Sequence, residues 1–186
     1  MATKSILLSI KPEWVAKILN GEKTIEIRKK FPKDYVGWVY IYCTKKCNIT
    51  QDNKGEYVTE DKNCRINPRF SIHGYVVARF WCDKVEEIYW QPNFDLADDS
   101  YYTRTLADIE LEKKICLKAK DFIKYLGCQN GYAIHISKLE VFERPKELTE
   151  FNRYGNYPCR EGLAFERMDR TLTTAPQNYC YIEGDI

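Results

Sequence analysis

Gly21, Lys23, Glu26 and Arg28 fall within one stretch of eight residues and set two cations around one carboxylate. The planar fork of Arg28 can grip a phosphate or a carboxylate through two hydrogen bonds. Lys23 offers a point charge whose pKa falls when water is removed from it. Glu26 can act as a general acid or base while Lys23 stabilises negative charge that develops nearby. The trio therefore suits an RNA phosphate or nucleobase edge, and equally a proton-transfer site with Lys23 and Glu26 as catalytic residues. The plainer reading is an ion pair between Glu26 and Arg28 on a strand face.

The elements that must position these residues follow from local pattern. Residues 5–10 form a short apolar run between polar neighbours, as a buried strand does. Pro12 then suits the first turn of a helix carrying Trp14, Val15, Ile18 and Leu19 at helical spacing, and Asn20-Gly21 is its stop signal. Residues 24–30 alternate, with Ile25 and Ile27 on one face and Thr24, Glu26 and Arg28 on the other. Gly21 ends the helix and keeps the backbone close to any ligand. Lys11 lies near the trio in sequence, and so do Trp38 and Tyr40 in the strand expected over residues 38–44. Cations that follow phosphates and rings that stack on bases are what single-stranded nucleic acid requires, although alternation turns half of those rings inward. The expected ligand-binding set is thus Gly21, Lys23, Thr24, Glu26, Arg28, Lys11, Trp38 and Tyr40.

Beyond the motif, residues 45–72 are polar and aperiodic and read as a loop insertion. Residues 74–88 read as one strong strand and residues 89–105 as irregular. Residues 106–126 suggest one long or two short helices ending at Gly127, and residues 132–142 return to strand alternation. A last strand is expected over residues 175–183. Strand, helix, strand and then several more strands with few helices argue for an α+β fold.

The chain has 186 residues, enough for one domain with a packed core, and its net charge is +2. That charge is unevenly spread: the first fifty residues carry ten Lys/Arg against four Asp/Glu, and residues 51–100 carry six against ten. A basic face for an anion is expected near the motif, and residues 86–99 form an acidic segment that could meet a protein partner. The apolar runs are too short to span a membrane, and no signal-peptide pattern opens the chain, so a cytoplasmic location is expected. The eight cysteines then read as reduced thiols. Cys43, Cys47, Cys64 and His73 are possible zinc ligands, but their spacing matches no zinc-ribbon pair, and no metal or cofactor is expected. His135 alternates within a strand and reads as a structural residue.

The run from Leu8 through Pro12 to Gly21-Glu22-Lys23-Thr24-Ile25-Glu26-Ile27-Arg28 resembles the ASCH domain of the PUA-like superfamily. The signature of that domain is a helix followed by Gly-x-Lys-x-x-Glu-x-Arg on a strand. The resemblance implies a small mixed β-barrel with a few flanking helices and a cleft beside the motif that binds RNA or a nucleotide-like ligand. It implies a barrel domain over residues 1–150, with a polar insertion at 45–72 and a helical insertion at 89–127, and a C-terminal extension at 151–186 packing on the barrel. Some ASCH-like proteins are hydrolases, among them an amidohydrolase that deacylates N4-acetylcytidine and others that act on RNA. In the amidohydrolase pattern a Thr stands where this chain has Glu26, and a carboxylate cannot serve as that hydroxyl nucleophile.

Overall fold

The computed structural model describes residues 4–45, 49–59, 72–91, 100–102, 108–127, 129–154 and 171–184. In chain order these hold β1 (Lys4–Ile10), α1 (Pro12–Leu19), β2 (Ile25–Arg28), β3 (Gly37–Cys43), β4 (Ile49–Gln51), β5 (Tyr57–Thr59) and β6 (Val76–Cys82). There follow β7 (Val85–Gln91), β8 (Ser100–Tyr102), α2 (Asp108–Ile115), α3 (Ala119–Leu126), β9 (Gly131–His135), β10 (Ser137–Lys146) and β11 (Tyr179–Glu183). Strands outnumber helices, as expected for the α+β class.

β1 is buried at every residue but Lys4, because it has a strand on each side and apolar layers on both faces. β3 pairs with it in parallel, Ile6 opposite Val39, and β11 pairs with it antiparallel, Leu7 opposite Cys180. The full order of this five-stranded sheet is β10-β6-β3-β1-β11, and a second sheet runs β2-β9-β7-β8. Alternation along β1 and β3 divides their side chains between two cores. Ile6, Leu8, Val39 and Ile41 face a layer shared with Val15 and Ile18 of α1 and Ile134 of β9, so the first core lies between the sheets. Leu7, Tyr40 and Tyr42 face the other way, beneath Phe151, Leu172 and Ile182. A third core forms where Leu111, Ile115, Phe122 and Leu126 of the helices cover Ile25, Ile27 and Ala133.

Three features depart from the sequence reading. Residues 45–72 are not simply a loop, because β4 and β5 pair within them, with Thr50 opposite Val58, and Asn20 is locked to the Tyr57 backbone by two hydrogen bonds. The strand expected over 74–88 is two strands split at Asp83 and Lys84, and β9 and β10 are likewise split at Ile136. Of the one long or two short helices expected before Gly127, the structure has two short ones, separated at Cys116, whose φ of 57° is left-handed. The described ladders form separate sheets, and none closes them into a barrel among the described residues. No described helix is long and apolar enough to cross a membrane.

Candidate functional site

Gly21 sets the geometry of the motif. Its φ of 75° is a conformation that favours glycine, and its N–H donates to the Ile18 carbonyl at 2.9 Å. The next two amides, of Glu22 and Lys23, both donate to the Lys17 carbonyl at 2.9 and 3.1 Å. The chain is thereby folded back on the end of α1, and Lys23 is carried inward. Its side chain is only 2% exposed, and Nζ donates to the Ile115 carbonyl at the end of α2 at 2.7 Å. Trp14 of α1 places its ring 5.4 Å from the same nitrogen.

β2 pairs with β9, setting Glu26 opposite Ile134 and Arg28 opposite Tyr132. Ile25 and Ile27 enter the core under the helices, so strand alternation gives Glu26 and Arg28 the other face. Glu26 Oε2 lies 3.4 Å from Lys23 Nζ, and Oε1 lies 3.0 Å from Arg28 Nη2. Arg28 also donates from Nη2 to the Ser9 carbonyl of β1 at 2.6 Å and from Nη1 to Asn178 Oδ1 at 3.3 Å. Its Nε is buried with no hydrogen-bond partner among the described residues. Asn178 is fixed in turn, since its Nδ2 donates to the Lys30 carbonyl at 2.7 Å and its carbonyl accepts from the Ser9 amide at 2.9 Å. Burial lowers the pKa of Lys23 from the ordinary lysine value, and the attraction of Glu26 offsets only part of that effect.

These side chains form one wall of a cleft of about 1360 Å³. α1, the end of β3, α3 and residues 173–177 supply the other walls. Lys11, Lys23, Glu26 and Arg28 of the expected set line it. Gly21 and Thr24 are exposed and act only on its geometry, the Thr24 backbone bridging Lys114 and Ile136. Trp38 and Tyr40 are elsewhere, which corrects their expected place at the ligand. Both belong to the core that also holds Tyr42 but lie away from the cleft end of β3: the Arg79 guanidinium stacks on Trp38 at 4.2 Å, and Tyr40, with no exposed surface, packs on Phe151. Tyr42, Tyr75 and Tyr125 supply aromatic surface to the cleft instead.

The expected positive hollow is also corrected. Lys11, Lys23, Arg28 and Lys45 line the cleft, but so do Glu13, Glu26, Asp121 and Glu147. Among the described residues that line the cleft, cation and carboxylate numbers are equal, so the local excess of basic residues in sequence does not carry over to them. Ser9 and Asn178 could not be found by spacing, because the residues they bond are brought together only by the pairing of β11 with β1.

His135 is hydrogen-bonded to Glu86 at 2.7 Å on the second sheet. Burial alone would raise the Glu86 carboxyl, but hydrogen bonds from Lys84 and His135 outweigh it and hold the carboxyl below the usual range. Of the possible zinc ligands, Cys43 is a buried thiol of β3, whereas Cys47 and Cys64 lie outside the described residues. Among the described residues no cluster of His, Cys, Asp or Glu could hold a metal ion.

No protein-family model and no curated protein matches the sequence. The chain is similar in structure to ASCH from Zymomonas mobilis, at 14% identity and a TM-score of 0.45 over 77% of this chain and 73% of that one. Two point mutants of the Zymomonas protein match at 15% identity and a TM-score of 0.46; one covers 78% of this chain and 77% of its own, the other 88% and 89%. The family named by these structures is the one that the run from Gly21 to Arg28 resembles.

Proposed function

We propose that the cleft is an ASCH-type binding site for a nucleoside-like or nucleotide-like small molecule, held by one flat, hydrogen-bonding edge. The observation that carries this reading is the Glu26 carboxylate fixed between Lys23 and Arg28 at the cleft wall. A carboxylate beside a guanidinium offers acceptor and donor atoms in one plane, which is what a base edge pairs with. Trp14 and Tyr125, which keep some exposed surface, provide ring faces for stacking. Equal numbers of cations and carboxylates favour such a ligand over a long RNA, whose affinity depends on phosphate neutralisation. In this reading the two sheets are the halves of a barrel-like enclosure. The protein works in the cytoplasm, where Cys43, Cys82, Cys116 and Cys180 stay reduced.

The test is calorimetric titration with free nucleosides, mononucleotides and short single-stranded RNA between 50 and 300 mM salt. A nucleoside or mononucleotide should bind, with affinity that changes by less than about threefold across that range, and Glu26→Gln should abolish the binding. Binding of RNA alone, with a steep salt slope, would overturn the small-molecule reading.

A second reading, hydrolysis of an acylated nucleoside, is favoured by one observation: Lys23, with its lowered pKa, lies 3.4 Å from a carboxylate that can exchange a proton with it. It requires turnover of acylated cytidine by the wild type that disappears in Lys23→Ala and in Glu26→Gln.

A further inference from the structure

An amine becomes a nucleophile only after it has lost its proton, and burial of Lys23 works toward that state against the charge of Glu26, which favours the ammonium. The side chain is almost fully removed from water, its nitrogen sits beside a carboxylate that can take the proton, and the residue lines a cleft through which a ligand can reach it. The Ile115 carbonyl at 2.7 Å and the Trp14 ring at 5.4 Å hold the nitrogen in one place, which lowers the entropy cost of meeting a bound electrophile. We propose that Lys23 captures carbonyl ligands covalently, its Nζ condensing with an aldehyde or ketone in the cleft to give an imine whose formation Glu26 assists. This rests on the cleft and the Lys23–Glu26 pair, and not on the identity of any non-covalent ligand.

The atoms balance without an oxidant or a reductant. The Lys23 ammonium gives a proton to Glu26, and the neutral nitrogen attacks the carbonyl carbon. A C–N bond forms as the carbonyl π pair moves to oxygen, and a proton passes from nitrogen to that oxygen to give a carbinolamine. Glu26 then returns its proton to the hydroxyl, which leaves as water while the nitrogen lone pair closes the C=N bond. The products are a protonated imine, one water and the ionised Glu26. The lowered pKa of Lys23 supports the first step. Arg28, 3.0 Å from the far oxygen of Glu26, keeps the carboxylate aimed throughout.

The test treats the full chain at neutral pH with pyridine-4-carboxaldehyde, a flat and uncharged aldehyde, together with sodium cyanoborohydride, which reduces any imine to a stable amine. Modified lysines are mapped by peptide mass spectrometry against time and aldehyde concentration. Lys23 should be alkylated at least about tenfold faster than exposed Lys11 and Lys45, since a positioned acid–base group contributes that much or more. Its rate should saturate with aldehyde, whereas theirs should rise linearly. A Lys23 rate that is no faster than that of Lys11, or that never saturates, overturns the proposal in the wild type alone, so the outcome does not depend on a variant that folds. Failure of nucleoside titration with Lys23 capture intact removes only the earlier reading, and the reverse result removes only this one.

Discussion

At the scale of single residues, the Glu26 carboxylate keeps two buried cations compatible. Removing one partner of a buried charge pair leaves the rest uncompensated, and such losses reach several kcal/mol. Glu26→Gln should therefore destabilise the protein by about 3 kcal/mol at neutral pH in urea melts. The loss should shrink in alkali, where Lys23 can shed its charge. Lys23 itself has a pKa lowered by burial, so between that value and the ordinary 10.5 the unfolded chain holds more protons than the folded one. Stability contributed through this group rises with pH over that interval. Lys23→Met should remove the rise, seen as a difference from wild type in melts taken at stepped alkaline pH. The difference matters because Cys82, pushed up to about 12 by burial, acts in the opposite sense, holding its proton in the folded state and losing stability as pH rises. The charged trio was legible in sequence because all three residues lie on one turn and one short strand. The orphaned Arg28 Nε and the Ser9 and Asn178 contacts were not, since no local pattern encodes them.

At the scale of elements, β11 is both a sheet edge and the lead-in to the site. Asn178, just before it, joins Arg28 to the Lys30 carbonyl. Asn178→Ala should cost about 1 kcal/mol by thermal or chemical melts, as expected for one partly buried and one exposed hydrogen bond. Lys138 tells of a different constraint. It sits at the irregularity between Ser137 and Glu140 of β10 with φ 45°, which a side chain adopts only at a cost of about 1–2 kcal/mol. Lys138→Gly should stabilise the protein by about 0.5–1 kcal/mol after the entropic cost of glycine is deducted, read as a higher urea midpoint. Period alone located β1, α1, β2 and β3 within a residue or two at most ends, because each is bounded by Pro, Gly or a charged turn. It missed the split at Asp83–Lys84 because two charged residues with no Gly or Pro beside them pass for part of an alternating strand, and the split at Ile136 because the apolar pattern runs through it. It missed β4 and β5 because three-residue strands are too short to show alternation, and their stability comes from Asn20 and from the buried Ile49.

At the scale of the whole molecule, the excess of basic residues in the first fifty did not predict the character of the cleft. The folded chain brings Asp121 and Glu147 from distant sequence to face Lys11 and Lys45, and a sequence-local count cannot see that. The same long-range closure decides the fate of a shortened chain. Residues 173–177 line the cleft, and Leu172 and Ile182 fill the core on the back of the five-stranded sheet. A chain ending at residue 170 should lose cooperative unfolding and bind hydrophobic dye, because that core and one side of β1 stand open. Retained cooperative melting in circular dichroism would show instead that β11 is dispensable.

β1 is made long before its neighbour on one side: Ser9 and Pro176, which meet through a hydrogen bond, are 167 residues apart along the chain. A nascent polypeptide on the ribosome therefore carries an apolar strand with one bare backbone rim until residues 179–183 have emerged. That rim is a template for mispairing with another newly made chain. Until β11 emerges and docks, the cleft lacks a side, so the ability to hold a guest arrives with the closing of the sheet and serves as a sign that assembly is complete.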